Sequence, residues 1–210
     1  MKTFPIMLKT ADKPVVVVGS GTVGIRKTEM LAEAGAAVRL VGRCESTTLE
    51  QLPDNVELHQ QDYSPDALTG AMLVFACTDN RQLNKQIVID AHRLGALVNV
   101  ADQPDDCDFF MPAIHRNGPV VLAVGTGSAA PSLAASLRDR LADTLPKGIG
   151  NFAETLEQAR RTIRKRVSRI EHRAAVMKRL AKTETMKLFA DEGAQAVLEL
   201  AETLINELEA

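Results

Sequence analysis

The chain has 210 residues, a formal net charge of −2 at pH 7 and 45% hydrophobic residues. This length supports one large domain or one domain with a smaller appendage, and the near-neutral charge argues against general nucleic-acid binding. No apolar run is long enough for a membrane span, and the N-terminus does not resemble a signal peptide, so we expect a cytoplasmic protein with no membrane partner. The three cysteines, Cys44, Cys77 and Cys107, are widely spaced and odd in number, which favours reduced thiols over disulfides or a zinc site.

The first predicted strand runs into a glycine-rich turn. Residues 15–18 are four valines, and a predicted helix over residues 23–34 follows. A dinucleotide pyrophosphate needs close backbone approach, amides that point at the anion, and the favourable end of a helix dipole. An ordinary βα turn is the alternative. The Gly-x-Gly-x-x-Gly pattern therefore predicts that the cofactor contacts the turn formed by Gly19, Ser20, Gly21, Thr22, Val23 and Gly24.

Strands and helices then alternate as far as residue 112. The sequence predicts a helix over residues 80–94 and strands over 38–41, 56–59, 72–77 and 97–101. Near-continuous apolar strands in β-α-β order indicate an α/β fold with a Rossmann-type, doubly wound parallel sheet. A further strand is predicted over 119–124, and a helix from about 131 to 145 begins at Pro131.

From Phe152 onward the pattern is helical only. Apolar residues recur every three or four positions and predict one continuous stripe, at Phe152, Leu156, Ala159, Ile163, Val167, Ile170, Ala174 and Met177. A shorter final helix is expected to bury Val197, Leu200, Leu204 and Leu208. Basic residues are concentrated here: residues 160–187 hold eleven Lys or Arg and two Glu, a local charge of +9, which leaves −11 for the rest of the chain.

Polar residues follow two of the predicted strands at the carboxyl edge of the sheet, where doubly wound folds bind their ligands. Asp102 follows the strand over 97–101 and is a candidate base or proton acceptor, with a helix cap or a solvated turn as the alternative. Thr78 and Asp79 follow the strand over 72–77, and they either line the cofactor or, for Asp79, cap the next helix. His115 is a secondary acid, base or iron-site candidate, although an isolated histidine is more often a surface residue.

Five motifs in order give the chain a specific resemblance. They are Gly-Ser-Gly-Thr-Val-Gly-Ile-Arg-Lys (19–27), Phe-Ala-Cys-Thr-Asp-Asn-Arg-Gln-Leu-Asn (75–84), Val-Asn-Val-Ala-Asp-Gln-Pro (98–104), Cys-Asp-Phe-Phe-Met-Pro-Ala (107–113) and Leu-Ala-Val-Gly-Thr-Gly-Ser-Ala-Ala-Pro-Ser-Leu-Ala (122–134). Together they resemble the precorrin-2 dehydrogenase family, the sirohydrochlorin-forming module of siroheme synthases. The resemblance is strong over residues 4–145 and weak in the helical tail.

The resemblance implies a domain plan, an activity and several site residues. It implies an NAD-binding Rossmann domain over 1–112, a dimerisation segment over 113–146, a C-terminal helical domain over 147–210, and a homodimer. The implied reaction is the NAD-dependent oxidation of precorrin-2 to sirohydrochlorin. The family's essential aspartate falls on Asp102, and its cofactor contacts fall on Thr22, Val23, Arg43 and Cys44.

The chain also departs from the family pattern. Ser20 and Gly24 stand where the family turn usually has Gly and Ala, and Gly125-Thr126-Gly127-Ser128 replaces a stretch that some members phosphorylate on serine, which leaves such regulation open. No methyltransferase region follows, so a separate uroporphyrinogen methyltransferase is expected upstream in the pathway. Some members also insert ferrous iron; the absence of a His and Cys cluster favours dehydrogenase activity alone, with a bifunctional dehydrogenase and ferrochelatase as the alternative.

The implied substrate is a tetrapyrrole with eight carboxylate side chains, so it needs cationic partners. Arginine binds carboxylates with two parallel hydrogen bonds, and the candidates are Arg116, Arg138, Arg140 and the arginines of residues 160–173. For the tail arginines, a solvated amphipathic helix that covers a dimer interface is an equal alternative.

The residues after the second predicted strand bear on the choice between NAD and NADP. NAD enzymes of this fold commonly place an acid after the second strand, whereas this chain has Gly42-Arg43-Cys44-Glu45 there. We expect NAD to be used and NADP to be tolerated within about tenfold, unless Glu45 turns back to the ribose. A non-enzymatic NAD-sensing module, as in regulatory domains of ion transporters, is an alternative of another class; the missing acid and the Asp102-Gln103-Pro104 motif argue against it.

Overall fold

The computed structural model describes residues 3–44, 52–127 and 129–209. It forms two compact units, Met1–Met111 and Pro112–Ala210. The first unit contains a parallel sheet with its helices, and the second contains a β-hairpin and a group of helices. The finer division of the second unit at residue 146, and a dimerisation role for residues 113–146, remain predictions.

The first unit is built around one five-stranded sheet, in which every neighbouring pair is parallel. Its strands are β1 (Pro14–Val18), β2 (Ala37–Val41), β3 (Val56–His59), β4 (Leu73–Ala76) and β5 (Leu97–Val100). They lie in the order β3-β2-β1-β4-β5, as in a Rossmann sheet, and the order in which successive strands are added reverses between β1 and β4. The predicted fold class is confirmed.

Helices cover both faces of this sheet. Alternate residues of a strand point to opposite faces, so an all-valine strand can bury both. The odd-numbered valines of β1 share a core cluster with Leu31 of α1 (Thr22–Glu33), and the even-numbered valines share the opposite cluster with Ile87 of α2 (Arg81–Arg93). The two helices therefore pack on opposite faces, as a doubly wound fold requires.

β5 is an edge strand, and the loop that follows it covers its outer edge. The N–H of the fully buried Val98 donates to Asp108 Oδ2 at 2.8 Å, and its carbonyl accepts the Asp108 N–H at 2.9 Å. The Val100 N–H donates to Cys107 Sγ at 3.1 Å. An uncovered edge would leave these donors unpaired, so two loop residues replace the missing strand. The loop between residues 101 and 109 is fixed against β5 as a result.

The second unit begins with an antiparallel hairpin, β6 (Ala113–Asn117) and β7 (Val120–Val124). The helices that follow are α3 (Pro131–Ala142), α4 (Ile149–Arg166), α5 (Ile170–Leu180), α6 (Thr183–Glu192) and α7 (Ala194–Glu209). The predicted strand and the predicted helix that begins at Pro131 are present. β6 was not predicted, because its sequence Ala-Ile-His-Arg-Asn has no run of apolar residues, and the short helix α6 was not predicted either.

The predicted continuous stripe from Phe152 to Met177 is wrong. The backbone is extended at Val167, where α4 ends, and α5 begins at Ile170. The Val167 carbonyl accepts a hydrogen bond from Arg173 Nε at 2.6 Å instead of one from a following helical amide. Ile170, which the stripe would bury, is 71% exposed. Spacings of three and four residues can run across a break in the helix, so the pattern alone does not reveal it.

The helices of the second unit share one core. Ile163 of α4, Leu180 of α5 and Ile205 of α7 are fully buried in a single cluster. Val197 and Leu204 are buried as predicted, whereas Leu200 is half-buried and Leu208, in the last turn of α7, is 39% exposed. None of the helices in the described ranges is long and apolar enough to cross a membrane.

We predict that Asp108→Ala lowers the free energy of unfolding by about 1–2 kcal/mol, because the buried Val98 N–H loses its acceptor. Urea unfolding followed by circular dichroism measures the change. Asp105→Ala, an exposed acid in the same loop, is the control. Equal stability of the two variants would contradict the role of Asp108 at the β5 edge.

Candidate active site

The three glycines of the turn after β1 differ in what an added side chain would contact. Gly19 has a φ of +112°, and a Cβ there would lie 2.5 Å from the Cys77 carbonyl oxygen. A Cβ at Gly24 would lie 1.8 Å from the Gly19 carbonyl oxygen. A Cβ at Gly21, by contrast, would meet nothing within 4 Å. The fold therefore requires Gly19 and Gly24, while Gly21 leaves open space over the backbone, as the second glycine of a dinucleotide turn does for the pyrophosphate.

α1 begins at this turn with amides that can receive an anion. Gly21 is the N-cap residue, no side chain caps the helix, and the first turn contains no acidic residue. The unsatisfied N–H groups and the helix dipole favour a negative charge at this position. Thr22 and Val23, predicted as cofactor contacts, are the first two residues of α1 and are exposed. The residues present therefore fit a pyrophosphate group.

The end of β2 lies beside the glycine turn. The Ser20 hydroxyl donates to the Arg43 carbonyl oxygen at 2.9 Å. The Arg43 side chain makes two hydrogen bonds to Asp62, Nε to Oδ1 at 3.2 Å and Nη2 to Oδ2 at 3.0 Å. Cys44 is half-buried against the core beneath α1. Glu45, the alternative ribose contact, lies outside the described residues.

At the end of β4, a hydrogen-bond network fixes the chain before α2. The Thr78 hydroxyl donates to Asn84 Oδ1 at 2.6 Å, and the Asn84 amide donates back to the Thr78 carbonyl at 3.0 Å. The Asn80 side chain caps α2 by accepting two amides of its first turn. The alternative in which Asp79 caps this helix is therefore wrong. Asp79 is exposed at the edge of the sheet.

Asp102 lies just beyond β5 in a strained turn. Its φ is +56°, one of two positive values among the non-glycine residues described, and its side chain is exposed. Aspartate tolerates this left-handed conformation better than most residues. Asp102 lines a cleft of about 410 Å³ together with Arg81, Gln82, Lys85, Gln103, Pro104, Asp105 and Asp106. The predicted base thus shares a cleft with two cations.

Arg81 and Lys85 are two cations of this cleft that were not among the predicted site residues. They lie four residues apart on α2, so they share one face of that helix. Both are exposed, and neither makes an ion pair with another residue of the described chain. A signal was available, because basic residues four apart at the start of the helix after β4 must lie near the carboxyl edge of the sheet.

The Cys107 thiol contacts the backbone on either side of the Asp102 turn. Besides accepting the Val100 N–H, its Sγ lies 3.3 Å from both the Val100 and the Gln103 carbonyl oxygens. Burial raises the pKa of the Cys107 thiol, so the sulfur keeps the proton that it donates. The turn is therefore tied to β5 on both sides of Asp102.

A half-buried lysine connects α1 to the loop after β5. Lys27 donates to the Asn99 side-chain oxygen, and its Nζ lies 4.9 Å from the centre of the Phe75 ring. The Asn99 amide donates to the Phe109 carbonyl at 2.9 Å, and the Phe109 ring packs edge-on against Phe75 at 5.4 Å. Burial lowers the pKa of Lys27, while the nearby Cys77 thiol acts in the opposite direction.

Lys27 was not singled out from the sequence, although a signal existed. Gly24, Leu31 and Lys27 are spaced by three and four residues, so the helical period places this charge on the buried face of α1. A charged residue on such a face needs a hydrogen-bond partner, which the Asn99 oxygen provides, and the face of the Phe75 ring adds a cation–π contact.

The other predicted site residues belong to the second unit. His115, half-buried, and Arg116, exposed, lie on β6, opposite Leu122 and Val121 of β7. On α3, Arg138 pairs with the adjacent Asp139 at 2.7 Å and Arg140 is exposed; this helix supplies the remaining two substrate candidates.

Several tail arginines have partners within the second unit. Arg161 pairs with Glu157 on the same helix at 2.6 Å. Arg166 binds Glu202 and Asn206, and Arg179 binds Glu207, so both connect to α7. The contacts of Arg166 and Arg179 join α4 and α5 to α7, whereas the Arg161 pair stays within α4.

Comparison with known proteins identifies the first unit. Residues 6–113 match a protein family described as putative NAD(P)-binding. The matched segment covers the parallel sheet, the glycine turn, Asp62 and Asp102. The open space at Gly21 and the uncapped N-terminus of α1 agree with a nicotinamide dinucleotide as the ligand of this family.

Longer similarity extends over the whole chain. The siroheme synthase of Nitrosomonas eutropha is 33% identical over 213 residues, covering 100% of this chain and 45% of that protein. The siroheme synthase of Methylococcus capsulatus is 37% identical over 169 residues, covering 80% and 36%. The chain thus spans less than half the length of these relatives. The structure of "SirC, precorrin-2 dehydrogenase" has the same fold, with a TM-score of 0.78 at 19% identity, covering 96% of this chain and 100% of that one.

We predict that Gly21→Ala leaves the free energy of unfolding within about 1 kcal/mol of the wild type, since the added methyl group meets no protein atom. The same methyl group occupies the space that a pyrophosphate needs, so the Kd for NAD should rise at least about tenfold. Calorimetric titration with NAD measures it. Gly125→Ala, where a Cβ also meets nothing within 4 Å, is the matched control. Wild-type affinity in Gly21→Ala would contradict the assigned site.

Proposed function

We propose that this chain, which belongs to the family of putative NAD(P)-binding proteins, oxidises precorrin-2 to sirohydrochlorin with NAD as hydride acceptor. The observation that carries the proposal is Asp102, a carboxylate held at the carboxyl edge of the dinucleotide-binding sheet in a cleft that also contains two cations. The similarity to siroheme synthases over the whole chain supports this reaction.

The order of the strands supports a position for Asp102 on the nicotinamide side. In a sheet of this type the pyrophosphate binds at the glycine turn after β1, and the adenosine ribose binds beyond β2. The nicotinamide then extends in the other direction, toward β4 and β5. Neighbouring strands are about 4.8 Å apart, so the ends of β1 and β5 are about 10 Å apart.

The oxidation removes one hydride and one proton from the tetrapyrrole. Bound NAD would accept the hydride. The Asp102 carboxylate accepts the proton or positions the macrocycle, and the hydrogen bonds of Cys107 keep its turn in place. The Lys27–Asn99–Phe109 connection joins α1, which begins at the glycine turn, to the loop that contains Asp102.

A substrate with eight carboxylates needs cations near the reacting ring. Arg81 and Lys85 share the cleft with Asp102, Asp105 and Asp106, and we assign these two cations as the contacts for substrate carboxylates. In the second unit, Arg116, Arg138 and Arg140 are further proposed substrate contacts, with His115 as a secondary acid or base. A homodimer formed through residues 113–146 is also part of the proposal.

The direct test is an anaerobic assay of precorrin-2 with the purified protein and NAD, followed by visible absorbance. Formation of sirohydrochlorin at a rate that depends on protein and NAD supports the proposal. Unchanged precorrin-2, in a reaction that a known dehydrogenase completes, would overturn it. The bifunctional alternative is tested by adding ferrous iron to sirohydrochlorin with and without the protein. In the described part of the chain, we find no group of three or more His, Cys, Asp or Glu side chains placed to hold a metal ion.

We predict that Asp102→Asn lowers kcat by about 10²–10⁴-fold, because the amide cannot accept a proton, with NAD affinity unchanged. Asparagine also tolerates the left-handed backbone, so the fold should be kept. The control is Asp12→Asn, because Asp12 has a φ of +58° but precedes β1. Turnover of folded Asp102→Asn within a few-fold of the wild type would remove Asp102 from the mechanism.

We predict that the double variant Arg81→Gln with Lys85→Gln raises the KM for precorrin-2 about tenfold and changes kcat little, as expected for residues that bind substrate and transition state equally. Steady-state kinetics at saturating NAD separate the two constants. Lys13→Gln, an exposed lysine just before β1, should leave the KM unchanged. An equal rise in the KM for precorrin-2 in the double variant and in Lys13→Gln would indicate a general charge effect rather than a contact in the cleft.

A further inference from the structure

We infer that Asp62, through its pairing with Arg43, makes the site select NAD over NADP. The inference rests on the dinucleotide site that the proposed function uses, and it adds a specificity residue to that site. Asp62 follows β3 rather than β2, so the usual search for an acid directly after the second strand does not find it.

The contact geometry brings Asp62 to the end of β2. Arg43 lies two residues beyond β2, and both of its hydrogen bonds to Asp62 are within 3.2 Å. The Gly42 N–H donates to the His59 carbonyl at 3.1 Å, which keeps the ends of β2 and β3 together. The Ser20 hydroxyl ties the Arg43 backbone to the glycine turn. A carboxylate from the segment after β3 thereby lies beside the end of β2, where other NAD-binding sheets have their acid.

The same pairing alters what Arg43 can do. An arginine at this position can accommodate the 2′-phosphate of NADP when its guanidinium is available. Here a two-point contact to Asp62 engages Nε and Nη2 of the guanidinium and places a carboxylate beside its positive charge. A bound 2′-phosphate would have to share the guanidinium with Asp62 or displace it, and in either position it would face the negative charge of the carboxylate. The ribose hydroxyls of NAD carry no charge, and a carboxylate can accept hydrogen bonds from them.

The pair is exposed, with side chains 75% and 83% accessible, so its contribution to folding is small. Substitution of Asp62 should therefore leave the fold intact. Asp54, an exposed acid that precedes β3 at the opposite end of the strand, provides a matched control for the loss of one negative charge.

The experiment is a calorimetric titration of NAD and NADP into wild type, Asp62→Asn, Arg43→Ala, the double variant and Asp54→Asn, without substrate. Because Arg43 is paired with Asp62, the tolerance of NADP within about tenfold that the sequence predicts is revised, and we expect the wild type to bind NAD at least about thirtyfold more tightly than NADP. Asp62→Asn should lower this preference about tenfold, equivalent to about 1.4 kcal/mol, by improving NADP binding. Without the arginine, the same Asp62→Asn change should improve NADP binding by no more than about threefold, because no cation is left to receive the phosphate.

Two results would overturn the inference alone: NADP binding as tight as NAD binding in the wild type, or an equal shift in Asp62→Asn and Asp54→Asn. Binding of neither nucleotide would overturn the proposed function and the inference together. A loss of preference in Asp62→Asn that also appears in the Arg43→Ala background would overturn the part of the inference that assigns the effect to the pair.

Discussion

The close contact between Gly24 and the Gly19 carbonyl is the constraint on which the first unit depends. No side chain fits there, since a Cβ at Gly24 would lie 1.8 Å from that oxygen. The contact lets α1 begin directly at the end of β1, and the approach of Gly19 to the Cys77 carbonyl joins that turn to β4. The crevice between β1 and β4, the open space at Gly21 and the free amides of α1 all follow from this packing.

The sheet could be predicted from the sequence because buried parallel strands appear as continuous apolar runs, as the valines before Gly19 do. The glycine turn and Asp102 could be found because both follow such runs directly. The break at Val167 could not, since the apolar spacing continues across it, and β6 has no apolar run to reveal it. Asp62 was missed for a different reason: its contact with Arg43 depends on the pairing of β2 with β3, a tertiary relation that no local pattern contains.

The half-buried Lys27 ammonium group costs folding free energy but connects α1 to the loop after β5. Removing an ammonium group from water is costly, and the lowered pKa reflects that cost. The hydrogen bond to Asn99 and the Phe75 ring offset part of it. What the chain gains is a polar connection through an otherwise apolar layer, from the helix at the glycine turn to the loop that contains Asp102. An apolar residue at this position would leave the Asn99 oxygen without its donor.

The covering of β5 by its own loop has a consequence for the behaviour of the protein in concentrated solution. Exposed strand edges are where sheets from different molecules join. At Val98 and Val100 the donors are already used by Asp108 and Cys107, so a foreign strand could pair there only by displacing the loop. The residues that hold the Asp102 turn are therefore the same residues that protect this edge. A change that frees the loop would expose a template for intermolecular β-pairing, so local disorder at the site and self-association should arise together.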